Sequence, residues 1–207
     1  KEYLYNFPCY TIVRMAEMSK EIIFLDIIGR GKRGVVRRGK YLGKDSAIKT
    51  ANPESHAIGR LENEAKWLKA LNKHGIGPKL YLWDGENLVI EFIEGIHLED
   101  FIKKNKDIGA VAKDLMKQCR ILDKMNVDKQ EMHRITKNCI VTHKNNPVLI
   151  DFERCRVSLK PKNVTQLCQF MIKIRLCKDK KDILDALKKY KKKMSENNFT
   201  YLKKMFF

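Results

Sequence analysis

Three glycines in the run Ile27-Ile28-Gly29-Arg30-Gly31-Lys32-Arg33-Gly34-Val35-Val36, with Ala47-Ile48-Lys49 a strand's length downstream, limit the folds open to this chain more than any other feature. The glycines fall between two β-like stretches, Glu21 to Ile28 and Val35 to Val36. They therefore predict a hairpin, not the strand-to-helix turn of a dinucleotide fold. With no Cβ in the way, the backbone amides of such a hairpin can approach a polyphosphate, and some of the positions suit φ > 0. Val36 follows the last glycine at a fixed offset, and Lys49 on the next strand brings a cation to the same phosphates. The competing reading is a tight hairpin with no ligand.

Further along, Leu61, Ala65, Leu68 and Leu71 recur at helical spacing and predict an amphipathic helix that carries Glu64. Glu62 points elsewhere on the same wheel. Gly75-Ile76-Gly77-Pro78 stops that helix. Lys79 to Trp83 and Asn87 to Phe92 then predict a hairpin around Asp84-Gly85. Leu98 to Lys104 reads as a short helix, and Gly109 to Met125 as a long one with Val111, Leu115, Cys119 and Leu122 on its apolar face. Cys139-Ile140-Val141 and Val148 to Phe152 form a strand pair around Lys144-Asn145-Asn146-Pro147. Asn138 and Asp151 stand at neighbouring ends of that pair, and Asn163 caps a helix running to Met171.

In this order the motifs resemble those of protein kinases over residues 20–170. The resemblance implies an α+β, bilobal protein-kinase-like fold in a single minimal domain. An N-terminal segment (1–20) precedes an antiparallel N-lobe sheet with one helix (21–93) and a mainly helical C-lobe (94–207). It implies Mg-ATP bound between the lobes. Gly29, Gly31 and Gly34 then lie over the phosphates, with Val36 and Ala47 also on the nucleotide. Lys49 holds phosphate and Glu64 positions Lys49. The Glu91 carbonyl and the Ile93 amide hold the adenine edge, with Ile90 as gatekeeper. Asn138 and Asp151 carry Mg²⁺, since hard cations favour carboxylate and amide oxygens.

The catalytic loop departs from that family. Protein kinases place an aspartate five residues before the metal-binding asparagine. Counting back five from Asn138 reaches His133, and His133-Arg134 is followed by Ile135. Asp123 and Asp128 are the nearest upstream carboxylates, and each needs an insertion or a reshaped loop to reach the site. His133 is a candidate base because a neutral imidazole accepts a proton near pH 7, and Arg134 a candidate for stabilising the transferring phosphoryl group. Both also read as ordinary loop residues.

Asp151-Phe152-Glu153 puts glutamate where kinases have glycine, and the segment from Arg154 to Pro161 is short and basic, with no room for a long activation loop. In these respects the chain is similar to small atypical kinases of the RIO and KEOPS-associated type. Glu131 to Asn138 with Ile150 to Glu153 resembles a small archaeal group of predicted serine/threonine protein kinases.

At 207 residues the chain is long enough for a buried core in one short bilobal unit. The longest apolar run, Ile22 to Ile28, contains Asp26 and is too short to span a bilayer, so no membrane partner and a cytoplasmic protein are expected. The first residue is Lys1, so an earlier start is expected. Six scattered cysteines (9, 119, 139, 155, 168, 177) suggest neither zinc nor a disulfide framework, and Cys119, Cys139 and Cys168 read as core thiols. The net charge of +18 concentrates in the glycine hairpin (Arg30, Lys32, Arg33, Arg37, Arg38, Lys40) and in Lys173 to Lys204. In the tail, Ile183, Leu184 and Leu187 predict a helix with its lysines in solvent. That charge suits either solubility or an RNA or acidic protein partner.

The function these features predict is ATP-dependent phosphoryl transfer to a Ser or Thr hydroxyl, the acceptor being an unidentified protein. Three alternatives stay open: an inactive nucleotide-binding regulator, a small-molecule phosphotransferase of the aminoglycoside-kinase type, and a basic RNA-associated scaffold.

Overall fold

The computed structural model describes residues 21–32, 34–52, 58–105, 107–176 and 180–207. The predicted N-terminal segment 1–20 with Cys9, and Arg33 and Cys177, lie outside the described residues, as does the side chain of His133. The fold is α+β: a five-stranded antiparallel sheet comes first, and helices with two small sheets follow. The chain divides into two compact units. One holds the described residues up to Lys69 together with Pro78–Phe92; the other holds Ala70–Gly77 and Ile93–Phe207.

The first unit begins with β1 (Ile22–Gly31) and β2 (Gly34–Tyr41), whose pairing closes at Gly31 opposite Gly34. Two of the three glycines therefore end strands and Gly29 lies within one. None of the three takes φ > 0, in contrast to the sequence expectation. What Gly34 needs is space: a Cβ there would run into the carbonyl oxygen of Thr50 on the neighbouring strand, whereas one at Gly31 would meet nothing. β3 (Lys44–Ala51) follows through a two-residue turn, Leu42 at φ 51° and Gly43 at φ 76°. Positive φ at both positions is the turn that matches strand twist.

Helix α1 (Ile58–Leu71) buries Leu61, Ala65 and Leu68 as their spacing predicts, and β4 (Leu80–Trp83) and β5 (Asn87–Glu91) complete the sheet in the order β1-β2-β3-β5-β4. Residues opposite one another across strands share a face. Ile48 and Val89 pair directly and pack with Tyr41 and Leu82 into a core cluster. Lys49, one residue on, points to the other face, opposite Val36 on β2 and Leu88 on β5.

In the second unit β6 (Gly95–His97) leads into α2 (Leu98–Lys104) and α3 (Gly109–Lys124). The apolar face of α3 is buried where the periodicity puts it, at Val111, Leu115, Cys119 and Leu122. β7 (Val127–Asp128), a 3-10 turn over Met132–Arg134, β8 (Cys139–Thr142), β9 (Pro147–Leu149) and β10 (Arg156–Val157) come next. They form two small sheets, β6-β8-β9 and β7-β10. Helices α4 (Asn163–Lys173), α5 (Lys180–Lys192) and α6 (Glu196–Lys204) finish the chain.

Two local expectations change here. Asn163 is the first residue of α4 and does not cap it; its side chain is fully buried and turns inward to α3 and β7. On α5 the buried stripe is Ile183, Ala186, Leu187 and Tyr190, while Leu184 is exposed. Each large apolar side chain so removed from water contributes about 2 kcal/mol, and that stripe holds the lysine-rich helix down. Cys119, Cys139 and Cys168 are core thiols, and burial pushes Cys139 up to about 12 and the other two well above the ordinary thiol range.

Among the described residues, no helix is long and apolar enough to cross a membrane.

Candidate functional site

In the first unit the sheet and α1 bring two of the expected residues together. The Lys49 ammonium on β3 donates to both oxygens of Glu64 on α1, each at 2.8 Å. Glu64 is 1% exposed, whereas Glu62 lies in solvent. A buried carboxylate is costly unless a cation sits on it, so this pair ties β3 to α1 in one register. Val36 stands directly opposite Lys49, and Ala47 opposite Ile90. The same face thus carries Val36, Ala47 and Lys49, with Gly29 paired to Val36 on β1. Glu91 ends β5: its amide donates to the Lys79 carbonyl at 2.8 Å and its carboxylate accepts from the Lys79 amide. Ile93 follows two residues on, as the first residue of its stretch of the second unit.

In the second unit the β8-β9 hairpin brings Asn138 and Asp151 together. Cys139 pairs with Leu149, and the Ile150 amide donates to the Asn138 carbonyl at 2.9 Å, one residue before Asp151. Both side chains are half-buried. Asp151 has φ 62°, a left-handed conformation uncommon for any residue but glycine. One carboxylate and one amide oxygen at adjacent strand ends are a donor set that fits Mg²⁺, which takes few protein ligands and fills its other positions with phosphate oxygens and water. Among the described residues no group of three or more His, Cys, Asp or Glu forms a metal cage by itself.

The upstream carboxylates Asp123 and Asp128 are engaged elsewhere. Asp123 is buried and accepts hydrogen bonds from the Asn163 amide and side chain (3.1 and 2.8 Å), from the Val164 amide and from the Tyr190 hydroxyl (2.9 Å). Burial raises its carboxyl above the usual range, against the pull of those donors. Asp128 is buried in β7, 3.6 Å from the Arg156 guanidinium. His133 and Arg134 sit in the 3-10 turn after residue 131, and Arg134 is exposed.

Three residues that spacing did not single out, Lys129, Glu131 and Arg154, link the loop after β7 to the stretch from Asp151 to Arg154. Lys129, nearly buried, donates from its ammonium to the Asp151 carbonyl at 2.8 Å and lies 4.9 Å over the Phe152 ring. Its amide in turn donates to the Asn163 side chain at 2.9 Å. Glu131 accepts from the Arg154 guanidinium at 2.6 Å. Pairing of β7 with β10 sets these two stretches side by side. The available signal was the close succession Asp128-Lys129-Gln130-Glu131, which reads as polar loop until its partner strand is known.

No family model matches the chain. A curated protein of Dictyostelium discoideum, "Kinase and exchange factor for Rac A", is 30% identical over 146 residues, which is 67% of this chain. The chain spans 11% of that protein's length. At this coarse level, the chain is distantly similar to part of a kinase-bearing protein.

Proposed function

We propose that the chain is an ATP-dependent phosphotransferase with a protein-kinase-like bilobal fold, an atypical serine/threonine kinase that phosphorylates a protein hydroxyl. The observation that carries this reading is the Lys49–Glu64 ion pair, a buried carboxylate positioning a strand lysine behind a glycine hairpin. In this reading Lys49 holds the nucleotide's phosphates and the Gly29–Gly34 hairpin covers them. The backbone at Glu91 and Ile93 holds the base. Asn138 and Asp151 would hold Mg²⁺, which supplies charge neutralisation on the phosphates when bound. Phosphoryl transfer through a loose transition state asks for positioning and charge stabilisation more than for covalent chemistry, and these residues offer both.

The test is label transfer from γ-labelled ATP with Mg²⁺, to the protein itself and to a generic protein acceptor, alongside a nucleotide-binding titration. Transfer abolished by Asp151→Asn supports the reading. ATP binding with no transfer above the Asp151→Asn background favours a nucleotide-binding regulator instead.

A further inference from the structure

We propose that Glu131 receives the acceptor's proton, a role for which spacing offers His133 only as a candidate. This rests on the phosphotransferase reading above. Of the carboxylates Asp123, Asp128, Glu131 and Glu153, three are already committed elsewhere. Asp123 accepts four hydrogen bonds in the core. Asp128 is buried against Arg156, and Glu153 is 14% exposed with its carboxylate toward Arg154. Glu131 is 28% exposed, and among the described residues only one of its oxygens is engaged, by Arg154. Its backbone is held in place: Gln130 and Glu131 take φ 62° and 52°, two left-handed residues in succession. Lys129 pins the start of the same loop to the Asp151 carbonyl. Strain of this kind persists only where surrounding contacts over-determine it.

The step balances. The acceptor's oxygen forms a bond to the γ-phosphorus as the bond from that phosphorus to the β–γ bridging oxygen breaks. The leaving electron pair departs with ADP. The hydroxyl proton passes to the Glu131 carboxylate and from there to water. A carboxylate suffices as base because in a loose transition state the proton leaves late. Arg154 orients the carboxylate through one oxygen and leaves the other for the hydroxyl.

The experiment compares label transfer and Mg-ATP affinity for wild type, Glu131→Gln, Glu131→Asp, Arg154→Ala and His133→Ala. Glu131→Gln is expected to lose transfer by about a hundredfold or more with nucleotide affinity unchanged, in line with the usual contribution of a positioned base. Glu131→Asp should recover part of it, Arg154→Ala should lose less than Glu131→Gln because the carboxylate itself remains, and His133→Ala should keep transfer within about tenfold of wild type. Transfer by Glu131→Gln at the wild-type rate overturns the assignment while leaving the phosphotransferase reading intact. Equal losses in Glu131→Gln and Arg154→Ala would mean that the ion pair matters only structurally, and also overturn it. A wild type that binds Mg-ATP and transfers nothing removes both.

Discussion

The Lys129 ammonium donates to the main-chain carbonyl of Asp151 at 2.8 Å, across twenty-two residues of sequence, and so holds the strand end that presents the Asp151 carboxylate. Lys129 is at once nearly buried, stacked over Phe152 and tied through its amide to Asn163. Lys129→Met keeps the volume but strands a carbonyl. Leaving such a group unsatisfied costs about 1–3 kcal/mol, which urea unfolding would read as a lower midpoint. Mg²⁺-dependent nucleotide binding should weaken as well, since the backbone at Asp151 loses its anchor. An unchanged midpoint would show that the contact is incidental.

Lys49→Met uncovers a carboxylate that is 1% exposed, and breaking a buried pair in this way costs about 3–5 kcal/mol. Replacing both partners, Lys49→Met with Glu64→Leu, should recover much of that loss, because no charge is left in the core. A double-mutant cycle on unfolding free energies measures the coupling. Nucleotide affinity should fail to recover in the double variant, which separates the structural part of Lys49 from its part in binding.

Gly31 and Gly34 differ in what a methyl group would meet. Gly34→Ala drives a Cβ into the Thr50 carbonyl and should cost about 1–3 kcal/mol of stability by overpacking. Gly31→Ala meets nothing and should leave the melting temperature almost unmoved. Weakened ATP binding in Gly31→Ala with normal stability would therefore report approach of a ligand to the hairpin. Unweakened binding there would argue against phosphates lying over it.

Asp123 makes stability depend on pH in a direction opposite to that of most carboxylates. Burial raises its folded-state value above 3.8, so the folded protein holds this proton more tightly than the unfolded chain does. Its contribution is greatest below about 3.8 and is lost as pH rises through the raised value. Asp123→Asn, which cannot titrate, should lack that slope. Urea midpoints of the two proteins between pH 3 and pH 7 test the sign: the wild type's standing relative to the variant should fall as pH rises, and a rise would contradict it.

Whatever depended on neighbours in the sequence was legible there. Alternating and helical periodicities placed the strands of the first sheet, α1 and α3, because a strand or helix shows its buried face within a few residues. The turn at Lys144–Pro147 placed Asn138 and Asp151 on adjacent strand ends for the same reason. Local pattern misled at Asn163, whose residue type suggests a cap. A buried Asp123 forty residues away and the Lys129 amide took its side chain instead. It misled again at Leu184, since Tyr190, the residue that completes the buried stripe of α5, is selected by hydrogen bonds to Asp123 and Arg120.

The sequence by itself determined the hairpin, the strand lysine and the β8-β9 strand ends, features set by chain geometry over short spans. Only the tertiary structure decided that Lys129 anchors the Asp151 carbonyl and that Glu131 pairs with Arg154. Those depend on contacts between residues 22 and 23 positions apart, Lys129 with Asp151 and Glu131 with Arg154. Such contacts form when strand pairing and helix packing bring separate stretches together, and no local spacing encodes them.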